Sequence, residues 1–246
     1  MSLGCYLKRL IENEPTLTTL CFMNDRIGNK EAVALANALE NNDTLKMLGL
    51  DYNSIGVEGS VALAKALESN NTLTALYLNY NSIGYEGAVV LASAFENNHA
   101  LTTLCLHNNN IGDEGAAALA KALENNHALT TLDLNYNGIG DDGTDALTTV
   151  LKNNGSLISF YPTTDLITTY LERNKRAHAR CKKAVPKAPL VLALIGIGRF
   201  RLKESCVPIG IPKEVIFVIA KHLWGTRSDF EGWGEVRKRN KYTQYT

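Results

Sequence analysis

Three side chains near the middle of the sequence have the chemistry of metal ligands. Cys105 and His107 are two positions apart, and Asp133 follows Cys105 after 28 residues. Thiolate, imidazole and carboxylate groups are common ligands of zinc and other transition metals. No fourth ligand and no local Cys or His spacing motif accompanies these three residues. We therefore predict no metal site and no other cofactor.

The sequence also lacks the short motifs that carry catalysis. It has no G-x-S-x-G nucleophile motif, no Walker phosphate-binding loop, no H-E-x-x-H and no C-x-x-C. The five Cys are odd in number and widely scattered, so neither a disulfide framework nor a zinc motif is expected. We predict no catalytic residues, a non-enzymatic protein and a reducing, cytosolic environment.

A different chemistry recurs through the first part of the chain, where polar and aromatic side chains return every 28 residues. One such column contains Cys21, Gly49, Tyr77, Cys105 and Asp133, and the next contains Met23, Asp51, Asn79, His107 and Asn135. A third column has Tyr at three positions and is interrupted by Asn24 and Asn108. Tyr is enriched at interface hot spots, and Asp favours a partner with basic groups. The predicted protein-binding residues are Met47, Asp51, Tyr52, Tyr77, Asn79, Tyr80, His107, Asp133, Asn135 and Tyr136.

The elements that must position these columns follow from a repeat of 28 residues. Each unit reads L-x-x-L-x-L-x-x-N-x-I-G, as in residues 73–84, and five copies fill residues 15–154 without insertion or deletion. Leu76 and Leu78 alternate, which places both on one face of a short strand, while Tyr77 and Asn79 point the other way. The unit therefore begins with a strand that has one buried face.

The rest of each unit predicts a turn and a helix. Asn recurs where the strand ends, and an inward amide there can bond backbone groups of neighbouring turns, each bond stabilising by roughly 1 kcal/mol. In residues 115–124, Leu119 and Leu123 lie four apart among Ala, a stripe that can pack closely against the strands. Asp113 and Glu114 lie at the start of this helix, where the dipole favours acidic groups. The Asn column consists of Asn53, Asn81, Asn109 and Asn137.

The repeat resembles the leucine-rich repeat of the ribonuclease-inhibitor type, which is also found in the sensor arrays of NOD-like receptors. The resemblance covers residues 15–157 and includes the repeat length, the Asn column, the Ile-Gly turn and the A-L-A-x-A-L-E helix. It implies an α/β fold: a curved leucine-rich repeat solenoid with parallel strands on the concave side and helices on the convex side. Stacked copies share one continuous core, because a single unit cannot bury its apolar face.

Both ends of the array predict additional elements. Residues 1–14 are expected to form an N-terminal capping helix, with Leu7, Leu10 and Ile11 at its apolar positions. A terminal strand over 157–160 completes a repeat region of 15–160, and residues 161–246 form a basic helical C-terminal module. Asp165 is expected to N-cap a helix that extends to about residue 179. The inward positions of that helix are Leu166, Ile167, Tyr170 and Leu171.

The neutral total charge conceals two opposed parts. Residues 1–154 carry 8 Lys and Arg against 18 Asp and Glu, a net charge of −10, whereas residues 155–246 carry 17 against 7, a net charge of +10. The basic segment 173–183 lacks the aromatic residues that stack bases, so we do not expect nucleic acid as a partner. No apolar run reaches the roughly 20 residues that span a membrane, and residues 1–14 lack a signal-peptide pattern.

The C-terminal module contains one further candidate. Residues 212–224 predict an amphipathic helix, and 211–223 resemble the opening of an F-box helix, L-P-x-E-V-x-x-x-I-x-x-x-L, with Ile211 in place of Leu. This helix is either a buried cap or a docking helix for a ubiquitin-ligase adaptor.

These patterns predict a cytoplasmic protein-binding scaffold that recognises a basic protein partner through its concave face. Repeats of animal type in so short a chain also suit a eukaryote-like bacterial effector that acts in a host cytosol. Two alternatives remain: a substrate receptor of a ubiquitin ligase, and a GTPase-activating protein that resembles the Ran regulator.

Overall fold

The computed structural model describes residues 2–184, and side chains through residue 179. This part of the chain alternates seven helices with six strands of three residues each. The helices are α1 Leu3–Ile11, α2 Asn29–Leu39, α3 Val57–Ser69, α4 Gly84–Asn97, α5 Gly112–Asn125, α6 Asp141–Leu151 and α7 Asp165–Ala184. The strands are β1 Thr19–Cys21, β2 Met47–Gly49, β3 Ala75–Tyr77, β4 Thr103–Cys105, β5 Thr131–Asp133 and β6 Ser159–Tyr161.

The six strands form one parallel sheet in sequential order. Leu48 pairs with Leu20 on one side and with Leu76 on the other, so the register follows the 28-residue period of the sequence. Leu76 and Leu78 are fully buried against the helices. The structure confirms the predicted α/β solenoid of leucine-rich repeats. We call the opposite side of the sheet, together with the residues that directly follow each strand, the strand face.

The predicted Asn column forms the expected hydrogen-bonded ladder. Asn81 donates through Nδ2 to the carbonyl oxygens of Leu50 and Leu78 at 2.9 and 3.0 Å, and its Oδ1 accepts from the Ile55 amide at 3.0 Å. Each Asn thus satisfies backbone groups of its own repeat and of the preceding repeat, which the sheet alone leaves unpaired.

A second Asn ladder, not predicted from the sequence, runs where the helices end. Asn98 donates to the carbonyl oxygens of Leu67 and Asn70 at 2.7 and 2.9 Å, and its Oδ1 accepts from the Leu101 amide at 2.8 Å. The ladder residues are buried and recur at the same period: Asn42, Asn70, Asn98, Asn126 and Asn154. The backbone groups at the helix ends are therefore hydrogen-bonded from repeat to repeat inside the fold.

Helix starts also depend on the neighbouring repeat. Asn29 accepts through Oδ1 from the amides of Gly56 and Gly59 at the start of α3, at 2.8 and 3.2 Å. Asp113 does the same for Gly140 and Gly143 at the start of α6, at 2.7 and 3.0 Å. Side chains of one repeat thereby cap the helix of the next.

The helices α4 and α5 begin differently. The equivalent positions in the repeats before them are Val57 and Tyr85, and neither side chain accepts a hydrogen bond from the amides at these helix starts. Gly84 and Gly112 adopt φ of +68° and +63° there, and their amides donate instead to the carbonyl oxygens of Asn109 and Asn137, at 2.9 Å in both cases.

The helix α7 continues the second ladder. Asn174 donates to the carbonyl oxygens of Asn154 and Leu157 at 2.9 and 2.7 Å, while Arg173 donates to those of Lys152 and Asn154 at 2.6 and 3.0 Å. These bonds satisfy carbonyls that would otherwise face solvent or be buried unpaired at the end of α6.

Three local expectations at the ends are wrong. Ile11 is 68% exposed, because it is the last residue of α1 and lies off the face that buries Leu10. Leu166 is 49% exposed, whereas Ile167 and Leu171 are buried. Thr164, rather than Asp165, caps α7: its Oγ1 accepts from the Ile167 amide at 3.2 Å.

The chain divides into two units, residues 1–176 and 177–246, and most of the second lies outside the described residues. The domain boundaries 1–14, 15–160 and 161–246 stay predictions. The helix expected at 212–224 lies outside the described residues. Among the helices that are described, none has the length and apolar character needed to cross a membrane.

Candidate protein-binding site

Four aromatic rings form a continuous row on the strand face, with one stacked and two tilted contacts. The ring centroids of Tyr52 and Tyr80 are 4.2 Å apart, with planes inclined by 10°. The ring of His107 lies 4.8 Å from that of Tyr80 and 5.0 Å from that of Tyr136. We call these four residues the aromatic ladder. Its Tyr rings stay accessible at both ends, since Tyr52 is 45% and Tyr136 is 79% exposed.

The sequence predicted an interrupted Tyr column, and the ring of His107 fills the interruption in the structure. The Nε2 atom of His107 lies 3.0 Å from the Tyr80 hydroxyl oxygen. The sequence held a signal for this contact: His107 directly precedes Asn108, and its ring can fill the space that the smaller Asn108 side chain leaves open.

The backbone under the three Tyr residues is left-handed. Tyr52, Tyr80 and Tyr136 have φ of 57°, 54° and 55°, and the equivalent Asn24 and Asn108 have 59° and 54°. Asn tolerates this conformation, whereas a residue with a bulky side chain loses about 1–2 kcal/mol in it. The fold alone would favour Asn at all five positions. Tyr at three of them indicates a use for the rings that offsets the strain.

Hydrogen bonds between repeats hold this backbone in place. The Tyr80 amide donates to the carbonyl oxygen of His107 at 2.7 Å, and the Tyr52 amide donates to that of Asn79 at 2.8 Å. The rings therefore leave the sheet from rigid positions, so a partner can bind them with little loss of conformational entropy.

Asp51 and Asn79, both predicted to bind a partner, have structural contacts as well. The Oδ1 atom of Asp51 accepts from the Asn79 amide at 2.8 Å, and Oδ1 of Asn79 accepts from the His107 amide at 2.9 Å. These bonds from one repeat to the next stop at His107. The Asn135 amide instead donates to Oδ1 of Asp133 in its own repeat, at 3.0 Å.

Two carboxylates give the strand face a negative field. Burial raises the pKa of Asp51, while its hydrogen bonds with Asn79 lower it in part. Burial, followed by the charges of Asp133 and Asp51, raises the pKa of Cys105 to about 11. Within the described part of the chain, neither Asp51 nor Asp133 forms a salt bridge. Both charges are available to a partner.

The remaining predicted residues lie on the same side of the sheet. Tyr77 ends β3 half-buried, and burial, followed by the nearby Cys105 and Asp51, raises the pKa of its hydroxyl. Met47 begins β2, pairs with Ala75 and is 37% exposed. The structure thus brings the aromatic ladder together and places the carboxylates beside it, whereas Met47 lies at the opposite end of its short strand.

The possible metal ligands do not form a site. Among residues 2–179, which include Cys105, His107 and Asp133, no group of three or more His, Cys, Asp and Glu side chains is arranged to hold a metal ion. His99 and His127 are exposed in the loops that follow α4 and α5.

Comparisons with known proteins identify the repeat. A family model described as a leucine-rich repeat matches residues 69–92, 97–120 and 125–147. No curated protein sequence matches the chain.

Solved structures of known proteins share the fold, and two of them are similar to this chain over most of their length. One is titled leiomodin-1 actin-binding site 2; it aligns with a TM-score of 0.59 at 23% identity, over 77% of this chain and 98% of that one. The other is the tropomodulin C-terminal domain of Caenorhabditis elegans, with a TM-score of 0.56 at 17% identity, over 74% of this chain and 98% of that one. The chain therefore contains leucine-rich repeats in a fold that these two proteins share.

Proposed function

We propose that this leucine-rich repeat solenoid is a non-enzymatic scaffold that binds a protein partner with basic groups through its strand face. The observation that carries the proposal is the aromatic ladder, in which Tyr residues occupy left-handed backbone positions where Asn fits better. Rigid, exposed Tyr rings provide large contact areas at low entropic cost.

The charge distribution supports a basic partner. Asp51 and Asp133 lie beside the ladder and form no salt bridge within the described residues, and residues 1–154 carry a net charge of −10. Such a surface attracts basic proteins and raises their association rate in a salt-dependent manner.

The solved relatives suggest one specific protein to test. The leiomodin-1 structure is titled as an actin-binding site, and co-sedimentation with actin filaments would examine that activity directly. At 23% identity the likeness concerns the fold, and no contact on the strand face of this chain favours actin over another protein.

The other hypotheses from the sequence have no support among the described residues. The F-box-like helix at 211–223 lies outside them, and a GTPase-activating role has no residue assigned to it. A cytoplasmic location, or a host cytosol in the case of a bacterial effector, stays a prediction.

Site-specific photo-cross-linking tests the proposal. A benzophenone amino acid replaces Tyr136 on the strand face in one variant and Ala117, exposed on α5, in a matched control. We expect irradiation in cytosolic extract to cross-link a discrete protein to position 136 and not to position 117. The product should disappear when Tyr52 and Tyr80 are both changed to Asn. A partner that cross-links to position 117 alone would refute the strand face as the binding surface.

A further inference from the structure

The two carboxylates beside the ladder have a defined spacing. Asp133 ends β5 and Asp51 follows β2, so they are three strands apart in the sheet. With strands about 4.8 Å apart and two positions of offset along the strand, their separation is roughly 15 Å. An extended peptide rises about 3.3 Å per residue, and residues i and i+4 point to the same side. Two cationic side chains at that spacing match the two carboxylates.

The aromatic ladder distinguishes between the two possible cations. The outer rings of the ladder, Tyr52 and Tyr136, each have one face that no other ladder ring covers. A planar guanidinium stacks on such a face and also binds carboxylates through its fork of N–H donors, whereas a lysine ammonium is a strongly hydrated point charge. Tyr beside Asp therefore fits arginine better than lysine.

We infer that the ligand of the strand face is an extended protein segment with two arginines in an Arg-x-x-x-Arg arrangement. One guanidinium binds beside Asp51 and Tyr52, and the other beside Asp133 and Tyr136. This inference rests on the proposed function, because it names the chemistry of the partner for the same surface.

Labelled peptides test the inference on the full chain. Fluorescein-labelled 12-residue peptides carry Arg-Ser-Gly-Ser-Arg at their centre, and fluorescence anisotropy measures binding at about 0.1 M salt, where charges further than about 10 Å apart are screened. Peptides with two lysines, with two citrullines, or with the two arginines adjacent serve as comparisons. We expect the citrulline peptide to bind at least about tenfold more weakly than the arginine peptide, and the lysine and adjacent-arginine peptides to lie between them.

Matched variants separate specific pairing from general attraction. The double variant Asp51→Asn with Asp133→Asn keeps an amide acceptor for the backbone, as Asn79 already does for the His107 amide. The control Glu58→Gln with Glu86→Gln removes the same charge from the starts of α3 and α4. We expect the Asp51 and Asp133 double variant to bind the arginine peptide about tenfold more weakly than the unmodified protein does. The control variant should bind it less than about twofold more weakly.

The ladder has its own variant. Changing Tyr52 and Tyr136 to Asn should abolish the preference for arginine over lysine and leave the attraction of the carboxylates. Equal binding of the arginine and lysine peptides to the unmodified protein would overturn the inference. So would an equal loss of affinity in the Asp51 and Asp133 variant and in the Glu58 and Glu86 control. If cross-linking still places a partner at position 136 in that case, the proposed function stands and only the arginine assignment fails.

Discussion

The imidazole of His107 joins two tyrosines from different repeats: its Nε2 lies 3.0 Å from the Tyr80 hydroxyl, and its ring lies 5.0 Å from the ring of Tyr136. Without this contact the aromatic ladder would break at Asn108, where the chain has no Tyr. His107 is therefore the residue that makes the strand face one continuous surface over four repeats.

The left-handed backbone at Tyr136 predicts that Tyr136→Asn does not destabilise the protein. The ring is 79% exposed and contacts His107 only in a tilted arrangement, while its φ of 55° suits Asn. We expect the free energy of unfolding to stay equal or to rise by up to about 1 kcal/mol, since relieved strain exceeds the lost contact. Urea denaturation measures this change.

The matched substitution is Tyr80→Asn, which also loses the stack on Tyr52 and the contact with His107. This variant should be less stable than Tyr136→Asn by about 1 kcal/mol. If Tyr136→Asn instead lost more than about 1 kcal/mol, the strain argument would be wrong.

The Asn column at the strand ends predicts that Asn109→Ala lowers the free energy of unfolding. Asn109 is fully buried, and its amide donates to the carbonyl oxygens of Leu78 and Leu106 at 2.8 and 3.0 Å. Removal takes one donor from each of these carbonyls, which keep the bonds from Asn81 and Asn137. It also leaves the buried Ile83 amide without its Asn109 Oδ1 acceptor, which costs about 1–3 kcal/mol. We expect unfolding at clearly lower urea concentration. Asn110→Gly, at an exposed position with φ of 56°, is the control and should be neutral or stabilising.

The bonds from α7 predict that Asn174→Ala loosens the last repeat. Its two hydrogen bonds to Asn154 and Leu157 are buried, so we expect a loss of about 2–3 kcal/mol. Because solenoid stability is close to a sum of neighbouring interfaces, faster amide hydrogen exchange should be concentrated in α6. Lys175→Ala removes only an exposed pair with Glu172 and should change little. Uniform acceleration along the array would contradict a local role of α7.

The raised pKa of Cys105 predicts slow alkylation of its thiol. A shift from 9.0 to about 11 lowers the thiolate fraction about a hundredfold near pH 8. Exposed Cys21 should therefore react with iodoacetamide well before Cys105, as measured by mass spectrometry of the labelled peptides. Asp133→Asn removes the largest charge contribution and should accelerate Cys105 without affecting Cys21. Equal rates at the two thiols would contradict the raised pKa of Cys105, and an unchanged Cys105 rate in Asp133→Asn would show that this carboxylate does not contribute to it.

The sequence was sufficient for the repeat and its core, because Leu76 and Leu78 recur with a period that only one stacking arrangement can bury. It was insufficient at His107, since a column defined by position cannot show a ring leaning into the next column. Buried Asn98 was missed because an Asn at a helix end also fits a simple stop signal. Leu166 was misassigned because two adjacent apolar residues do not show which of them faces the core.

The helix starts have a consequence for how such an array can grow. Asn29 and Asp113 serve the helices that follow their own repeats, whereas the helices after Val57 and Tyr85 begin on a left-handed Gly. Copying the 28 codons of the repeat that contains α3 would place the second copy of this helix after Val57, which has no acceptor for its first turn. A helix start and the matching residue of the preceding repeat therefore belong together. We expect rearranged arrays that keep the two together to be more stable than arrays that separate them.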